Sequence, residues 1–103
     1  MRARVKGVTF TNDDGSSRRA IIESMSNDDK IILERDPYNL YDSNAVKVCV
    51  VKEGQKLQIG HIDKYLAANL SPRIRRGAQF TATIVGCGIY NDRPYCEIDI
   101  EGI

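Results

Sequence analysis

Turn-forming residues divide this chain of 103 residues into apolar segments that are too short for long helices. Alternation of apolar and polar residues, rich in β-branched side chains, predicts strands at 3–11, 30–35, 45–52, 56–62, 78–88 and 93–102. Strands this short and this numerous, joined by hairpins, usually close into a small barrel. We therefore expect a mainly β (α+β) fold, in which five or six antiparallel strands form a small barrel and two short helices accompany them.

The two helices are predicted from apolar residues at helical spacing, at 16–25 and at 63–70. The second helix should end at Ser71-Pro72, followed by RIRRG at 73–77 as a basic connector or a further helical turn, and it should flank or plug one end of the barrel. Each helix has a polar residue placed to accept hydrogen bonds from the first amides: Ser16 or Ser17 in the first helix, and Asp63 in the second.

The length fits one domain, residues 1–103, with a single modest core. The longest apolar run, at 48–51, is far shorter than the roughly 20 residues that cross a bilayer. The first ten residues contain no apolar signal segment. We expect a cytoplasmic protein with no membrane-embedded part.

Three cysteines are present, at positions 49, 87 and 96, and none belongs to a C-x-x-C motif. With one histidine in the chain, a zinc site would lack ligands, so we expect no metal and no other cofactor. If Asn91-Asp92 forms the last hairpin turn, Cys87 faces Cys96 across the hairpin. A disulfide is geometrically conceivable there, but a cytosolic chain favours two thiols.

No motif for a catalytic serine, a phosphate-binding glycine loop or a zinc hydrolase is found in the sequence. His61 has no catalytic partner at a recognised spacing. A half-buried histidine that is hydrogen-bonded to backbone is the favoured interpretation. We therefore expect a binding protein and not an enzyme.

Charge alone does not identify the partner, because the net charge is only +1. Basic residues cluster at 2–6, 18–19 and 73–76. Such clusters are more often solvated faces than a binding groove, although a neutral protein can carry a basic groove.

The segment DPYNLYDSN, residues 36–44, contains more than a turn requires. Asp, Asn, Ser and Pro suffice to build a turn, yet Tyr38 and Tyr41 lie among them. Aromatic rings on a rigid turn can stack with unpaired bases. Alternatively, one or both rings fold back and cover the end of the barrel. The segment alone leaves both interpretations open.

Two segments of this chain resemble the signature motifs of the HIRAN family: ILERDPYNLYDSNAVKV at 32–48 and LQIGHIDKYLAANL at 57–70. GVTF at 7–10 is similar to the first strand of that family. The matching positions are Arg35, Asp36, Pro37, Asn39, Tyr41, Asp42, Asn44, Ala45, Val46 and Val48, then Gln58, Ile59, Gly60, His61, Ile62, Lys64, Leu66 and Ala67.

The resemblance implies an OB-like barrel that grips the 3′ end of single-stranded DNA. It implies that Tyr41 stacks on the terminal base, Phe10 supplies a second ring and Lys64 meets a phosphate. Asp42 would accept a hydrogen bond from the terminal 3′-hydroxyl, although it could instead merely cap its own turn. Asn44 and Gly60 are assigned to backbone geometry.

Two positions depart from the family pattern. Thr9 stands where a DNA-gripping member has an arginine, and Cys87 stands where that member has an aromatic residue. Tyr90 is a candidate to replace the missing ring, and Arg18, Arg19 or Arg73 to replace the missing charge. We expect weaker DNA binding that disappears at moderate salt.

The sequence thus predicts a non-catalytic, OB-like module that binds single-stranded DNA at a 3′-hydroxyl end, in DNA repair, replication or mobile-element processing. Its expected partners are single-stranded DNA and a helicase or nuclease acting in trans. The alternative is a protein-interaction module with the same fold and little affinity for DNA. The candidate DNA-binding residues are Thr9, Phe10, Tyr38, Tyr41, Asp42, His61, Lys64 and Tyr90.

Overall fold

Six antiparallel strands form one sheet in the computed structural model, which describes residues 1–102. In the sheet the strands follow the order β1-β6-β5-β2-β3-β4. The small barrel with two short helices is therefore confirmed. The elements, in chain order, are β1 (Arg2–Arg4), α1 (Arg18–Glu23), β2 (Lys30–Arg35), β3 (Val46–Lys52), β4 (Gln55–His61), α2 (Lys64–Arg75), β5 (Phe80–Tyr90) and β6 (Arg93–Gly102).

Two tight hairpins fix the register of most of the sheet. Asn91 and Asp92 have φ values of 50° and 61°, and Glu53 and Gly54 have 50° and 79°, as a two-residue hairpin turn with left-handed residues requires. The predicted turn at Asn91-Asp92 is confirmed, and Cys87 pairs with Cys96 across the hairpin. Both are free thiols, and burial raises the pKa of Cys96 to about 12.

The barrel closes where the segment after β1 lies between β6 and β4. The amide of Val5 donates to the carbonyl of Cys96 at 2.9 Å. Lys6 and His61 exchange two backbone hydrogen bonds of 2.8 and 2.9 Å. Gly60 makes this approach possible, because a methyl group there would overlap the Lys6 carbonyl oxygen and lie 2.6 Å from Val5 Cγ1.

One seam of the barrel is only loosely paired. Within residues 1–102, β2 and β5 are in register only at Ile31 and Ala82, whereas β2 pairs with β3 along its whole length. The core beneath the sheet consists of aliphatic side chains from the strands and both helices. Its fully buried members include Ile22, Val46, Val48, Val50, Ile59, Cys96 and Ile98.

The predicted strand at 3–11 is wrong beyond its start, because β1 ends at Arg4. Gly7 adopts a φ of 71°, and the amide of Phe10 donates to the carbonyl of Gly7 at 3.2 Å. A left-handed glycine followed by a turn cannot continue a strand, so 5–11 is an irregular segment that closes the barrel.

The first helix begins at the predicted cap, since the Ser17 hydroxyl accepts a hydrogen bond from the Ala20 amide. Asp63 caps the second helix as expected, but the predicted end at Ser71-Pro72 is wrong. This helix, α2, continues through Pro72 to Arg75. Pro72 has no amide to donate to the carbonyl of Ala68, a residue on the exposed side of the helix.

The residue that terminates α2 is Gly77, two positions after its last residue, whose φ is 99°. Its amide donates to the carbonyl of Ile74, and the amide of Ala78 donates to that of Arg73. This is the Schellman pattern that ends helices at glycine. None of the helices in the described part of the chain is long and apolar enough to cross a membrane.

We predict that Gly60→Ala lowers the free energy of unfolding by about 2–3 kcal/mol, because the added methyl group separates Lys6 from His61 and opens the barrel. Urea unfolding followed by circular dichroism measures the change. Gly86→Ala is the matched control, since its methyl group would meet nothing closer than Tyr95 at 3.8 Å. Equal stability of the two variants would contradict the role assigned to Gly60.

Candidate functional site

The loop between β2 and β3, residues 36–45, is held at both ends by backbone hydrogen bonds. The amide of Asp36 donates to the carbonyl of Ala45 at 2.8 Å, and the amide of Ala45 donates to that of Asp42 at 3.1 Å. The amide of Asn39 donates to the carbonyl of Asp36 at 3.1 Å. The loop is therefore a closed and ordered structure rather than an open connection.

The Asn39 side chain sets the position of the residues at the tip of this loop. Its Oδ1 accepts hydrogen bonds from the amides of Tyr41, at 2.9 Å, and Asp42, at 3.1 Å. Its Nδ2 donates to Asp36 Oδ2 at 3.2 Å, and Nε2 of His61 lies 3.3 Å from the same oxygen. Side-chain contacts thus connect the barrel wall at His61 to the tip of the loop.

Both tyrosines of the loop extend into solvent. Tyr41 is 96% exposed and Tyr38 is 92% exposed, so neither ring covers the end of the barrel. The protein core does not need these rings, since it is complete without them. Exposed rings on a loop with fixed backbone are available to stack on a ligand.

The two oxygens of the Asp42 carboxylate have different surroundings. Its Oδ1 accepts a hydrogen bond from the Asn44 amide at 2.9 Å, which is the turn-capping contact that the sequence allowed. Its Oδ2 accepts none from the part of the chain that the structure describes. Capping therefore uses one oxygen and leaves the other for a ligand.

Tyr41 and Asp42 lie at the edge of a cleft of about 420 Å³, a volume that suits a small ligand. Three basic and three acidic side chains face it, so the cleft has almost no net charge. Of the predicted residues it brings together Phe10, Tyr41, Asp42, His61 and Lys64. The other side chains that line it are Asp13, Arg18, Asp36, Asn39, Ala45, Lys47, Gln58 and Ile62.

Phe10 and Arg18 form the wall of this cleft opposite the loop. Phe10 is 66% exposed, and the Arg18 guanidinium carbon lies 5.9 Å from the centre of its ring. Arg18 is only 7% exposed; it donates from Nε to Asn12 Oδ1 at 2.7 Å and from Nη1 to the carbonyl of Gly7 at 2.9 Å. These bonds hold the Arg18 guanidinium in place beside the Phe10 ring.

The second terminal nitrogen of Arg18, Nη2, makes no hydrogen bond within residues 1–102. It is not a buried unpaired atom either, so it is accessible through the cleft. The sequence suggested Arg18 as one of three replacements for a missing arginine, without placing it. Helical spacing could have placed it, because Arg18 lies on the same face of α1 as the buried Ile21 and Ile22.

Lys64 is exposed at the first position of α2, on the edge of the cleft. The Asp63 carboxylate accepts hydrogen bonds from the amides of Tyr65 and Leu66. Since these amides are already satisfied, the helix start itself offers little to an anion. The Lys64 ammonium is the group at this end of α2 that can contact a phosphate.

His61 is half-buried, as expected, but its ring contacts the Asp36 carboxylate and not a backbone group. Burial alone would raise the pKa of Asp36. Hydrogen bonds from Asn39 and His61, together with the positive charge of Lys47, outweigh burial and lower that pKa below its ordinary value. Asp36 therefore stays ionised and keeps Asn39 in place.

Three of the predicted residues do not line the cleft. Tyr38 lies outside it in the exposed loop, and Thr9 and Tyr90 lie together in a neighbouring groove. Arg19 and Arg73 are also elsewhere: Arg19 pairs with Asp92 at the end of the last hairpin, and Arg73 stacks over Phe80. Tyr90 therefore does not replace a ring inside the cleft.

Comparison with known proteins gives a consistent family. The HIRAN domain family matches residues 6–101. The crystal structure of the HIRAN domain of human HLTF is similar with a TM-score of 0.70 and 24% identity, covering 99% of this chain and 73% of that one. A Lactobacillus plantarum protein of known structure is similar with a TM-score of 0.73 and 18% identity, covering 96% of this chain and 87% of that one. A search of curated protein sequences found no match.

We predict that Asp36→Asn lowers the free energy of unfolding at pH 7 by about 1–2 kcal/mol, since it weakens the contacts to Asn39 and His61. The folded-state pKa of Asp36 is lowered, so its stabilisation is present above the unfolded value, about 3.9. That stabilisation disappears as the pH falls through the lower folded value.

Urea unfolding at several pH values between neutral and strongly acidic conditions should show the two proteins converging in acid. The control is Asp28→Asn, because Asp28 is exposed and makes no hydrogen bond to any described residue. A difference between wild type and Asp36→Asn that persists unchanged in acid would disprove this account.

Proposed function

This chain belongs to the HIRAN family of DNA-binding modules, and from that membership we propose that it binds single-stranded DNA at a free 3′-hydroxyl end. The observation that carries the proposal is the pairing of an exposed ring, Tyr41, with a half-free carboxylate, Asp42, at the edge of one cleft.

The rings explain why the strand should be single. A base must be unpaired before an aromatic side chain can stack on its face, and each such stack contributes about 1–3 kcal/mol. Tyr41 on the loop and Phe10 on the opposite wall expose their rings on two sides of the cleft. In this proposal Tyr41 stacks on the terminal base and Phe10 contacts the nucleotide from the other side.

The carboxylate explains why a chain end should be preferred. A carboxylate near phosphates is unfavourable unless a donor satisfies it, and a terminal 3′-hydroxyl is such a donor. Asp42 Oδ2 is the oxygen that would accept this hydrogen bond. Inside a strand, the 3′ oxygen carries a phosphodiester, which has no proton to donate and repels the carboxylate.

The phosphate before the terminal nucleotide needs a cation, and the family arginine is replaced here by Thr9. Lys64 at the start of α2 and the accessible Nη2 of Arg18 are the proposed contacts. Lys47 also faces the cleft, on the side of Asp36. With few phosphate contacts, binding should weaken steeply as salt is added.

The HIRAN domain is a DNA-binding module and not itself catalytic, so a domain of this kind acts through an enzyme. We propose a helicase or nuclease in trans as that enzyme, in DNA repair, replication or mobile-element processing. The domain would deliver a free 3′ end to it.

A protein-interaction module is the second candidate function. The near balance of charges in the cleft favours it, because nucleic-acid sites are usually basic. Leu40, which is 94% exposed between the two tyrosines, would then contact a protein partner. DNA binding separates the two candidates directly.

We predict that a short oligonucleotide with a 3′-hydroxyl binds at least tenfold more tightly than the same oligonucleotide with a 3′-phosphate, as measured by fluorescence anisotropy at low salt. Asp42→Asn should weaken binding of the hydroxyl form and strengthen binding of the phosphate form, because it removes the negative charge. Asparagine retains an Oδ1 that can still accept from Asn44. Equal binding of both oligonucleotides to the wild type would reject the proposed mechanism.

We predict that Tyr41→Ala reduces the affinity for the 3′-hydroxyl oligonucleotide by roughly tenfold or more, as the removal of one base stack implies. The matched control is Tyr38→Ala, which removes a similarly exposed ring from the same loop that does not line the cleft. Binding that Tyr41→Ala leaves unchanged would show that the ring is not a stacking surface.

A further inference from the structure

A second concave surface, here called the basic groove, lies beside the cleft. It has a volume of about 440 Å³ and runs between residues 4–9 and the last hairpin. Thr9 and Tyr90, which were expected in the DNA site, both lie here and not in the cleft. The proposed function uses the cleft and places no part of the strand on this surface.

The basic groove and the cleft differ in charge. Arg4, Lys6 and Arg93 line the groove, and no aspartate or glutamate does. None of these three cations forms a salt bridge or a side-chain hydrogen bond within residues 1–102. Unpaired cations gathered on one concave surface without a carboxylate raise the local concentration of anions. The cleft, by contrast, has as many acidic as basic side chains.

The basic groove also offers an aromatic surface. Tyr90 is 72% exposed at the end of β5, and Arg93 is the first residue of β6 across the turn. A groove that combines cations with an exposed aromatic ring is the arrangement that binds single-stranded nucleic acid without sequence specificity. The groove shares a wall with the cleft in which a strand end is proposed to bind, which favours a nucleic acid over an acidic protein as its occupant.

The segment 6–10 forms a shared wall of the groove and the cleft. Lys6 lines the groove, while its backbone pairs with His61, which lines the cleft. Thr9 lines the groove, and the next residue, Phe10, lines the cleft. A chain that leaves the cleft over Phe10 therefore reaches the groove within a few residues, at most about 14 Å from Phe10 to Lys6 along the backbone.

We propose that the basic groove holds the nucleotides on the 5′ side of the end that the cleft binds, so that Arg4, Lys6 and Arg93 contact their phosphates and Tyr90 stacks on a base. This inference rests on the proposed function and extends it. The cleft recognises the end of the strand, and the groove supplies the phosphate contacts that the near-neutral cleft lacks.

The test compares a thymidine trinucleotide with a thymidine dodecanucleotide, both with a 3′-hydroxyl, over a range of sodium chloride concentrations. The longer strand should bind about tenfold more tightly and with a steeper salt dependence. The double variant Arg4→Gln and Arg93→Gln should reduce dodecanucleotide affinity about tenfold and lower the salt slope by about 0.7 for each phosphate that is no longer neutralised. Trinucleotide affinity should change less than about twofold, because the shorter strand does not reach the groove.

Arg75→Gln with Arg76→Gln is the matched control. It removes the same charge from exposed positions that line neither surface. A second comparison uses a dodecanucleotide that lacks bases at every position except the last three at its 3′ end, so that no base is present where the strand would cross the groove. Tyr90→Ala should weaken binding of the complete strand about tenfold but leave binding of the partly abasic strand unchanged.

The outcomes separate this inference from the proposed function. One outcome is that the trinucleotide prefers a 3′-hydroxyl, while the groove variant and the control variant bind the dodecanucleotide equally well. The groove then has no role in binding, and the proposed end recognition by the cleft stands. If dodecanucleotide binding depends on the groove but not on Tyr41 or the 3′ group, the groove binds DNA and the end-recognition mechanism is wrong. If neither the trinucleotide nor the dodecanucleotide binds, both proposals are overturned.

Discussion

The backbone pairing of Lys6 with His61 is the interaction on which the rest of the molecule depends. It joins an irregular segment near the start of the chain to the end of β4, which is otherwise an open edge of the sheet. The pairing also places Phe10 across the cleft from the loop at 36–45. One pair of hydrogen bonds, made possible by Gly60, therefore closes the barrel and assembles the two sides of the candidate site.

Hydrogen bonding gives Asp36 and Asn39, two residues of the family motif that line the cleft, a supporting role. Asp36 accepts from Asn39, and Asn39 accepts from the amides of Tyr41 and Asp42. A side chain that fixes the backbone beneath a ring reduces the conformational entropy that binding of the ring would otherwise cost. The motif thus forms a chain of contacts that runs from His61 in the barrel wall through Asp36 and Asn39 to Tyr41 and Asp42 at the tip of the loop.

The sequence predicted the parts of the structure that local rules control. Alternating residues located β2 to β6, the two-residue turns set the register, and Ser17 and Asp63 capped the helices as expected. Predictions failed where tertiary contacts override local preference. Gly7 ended the first strand early to let the chain cross between two strands, and α2 continued through Pro72, whose missing hydrogen bond falls at Ala68 on the exposed side of the helix. The exposure of the loop tyrosines likewise could not be decided from their spacing, because it depends on whether the core is complete without them.

The loosely paired seam between β2 and β5 has a consequence for how the molecule moves. Amides that lack a partner strand exchange with solvent through small openings, whereas fully paired strands exchange only when larger units open. Opening should therefore begin at Ile31 and Ala82, where a single register pair joins the two strands. The loop begins directly after β2, but β2 stays paired with β3 along its whole length, and the hydrogen bonds that hold the loop involve Ala45 and His61 rather than β5. The barrel can open locally between β2 and β5 while the loop that carries Tyr41 and Asp42 keeps its conformation.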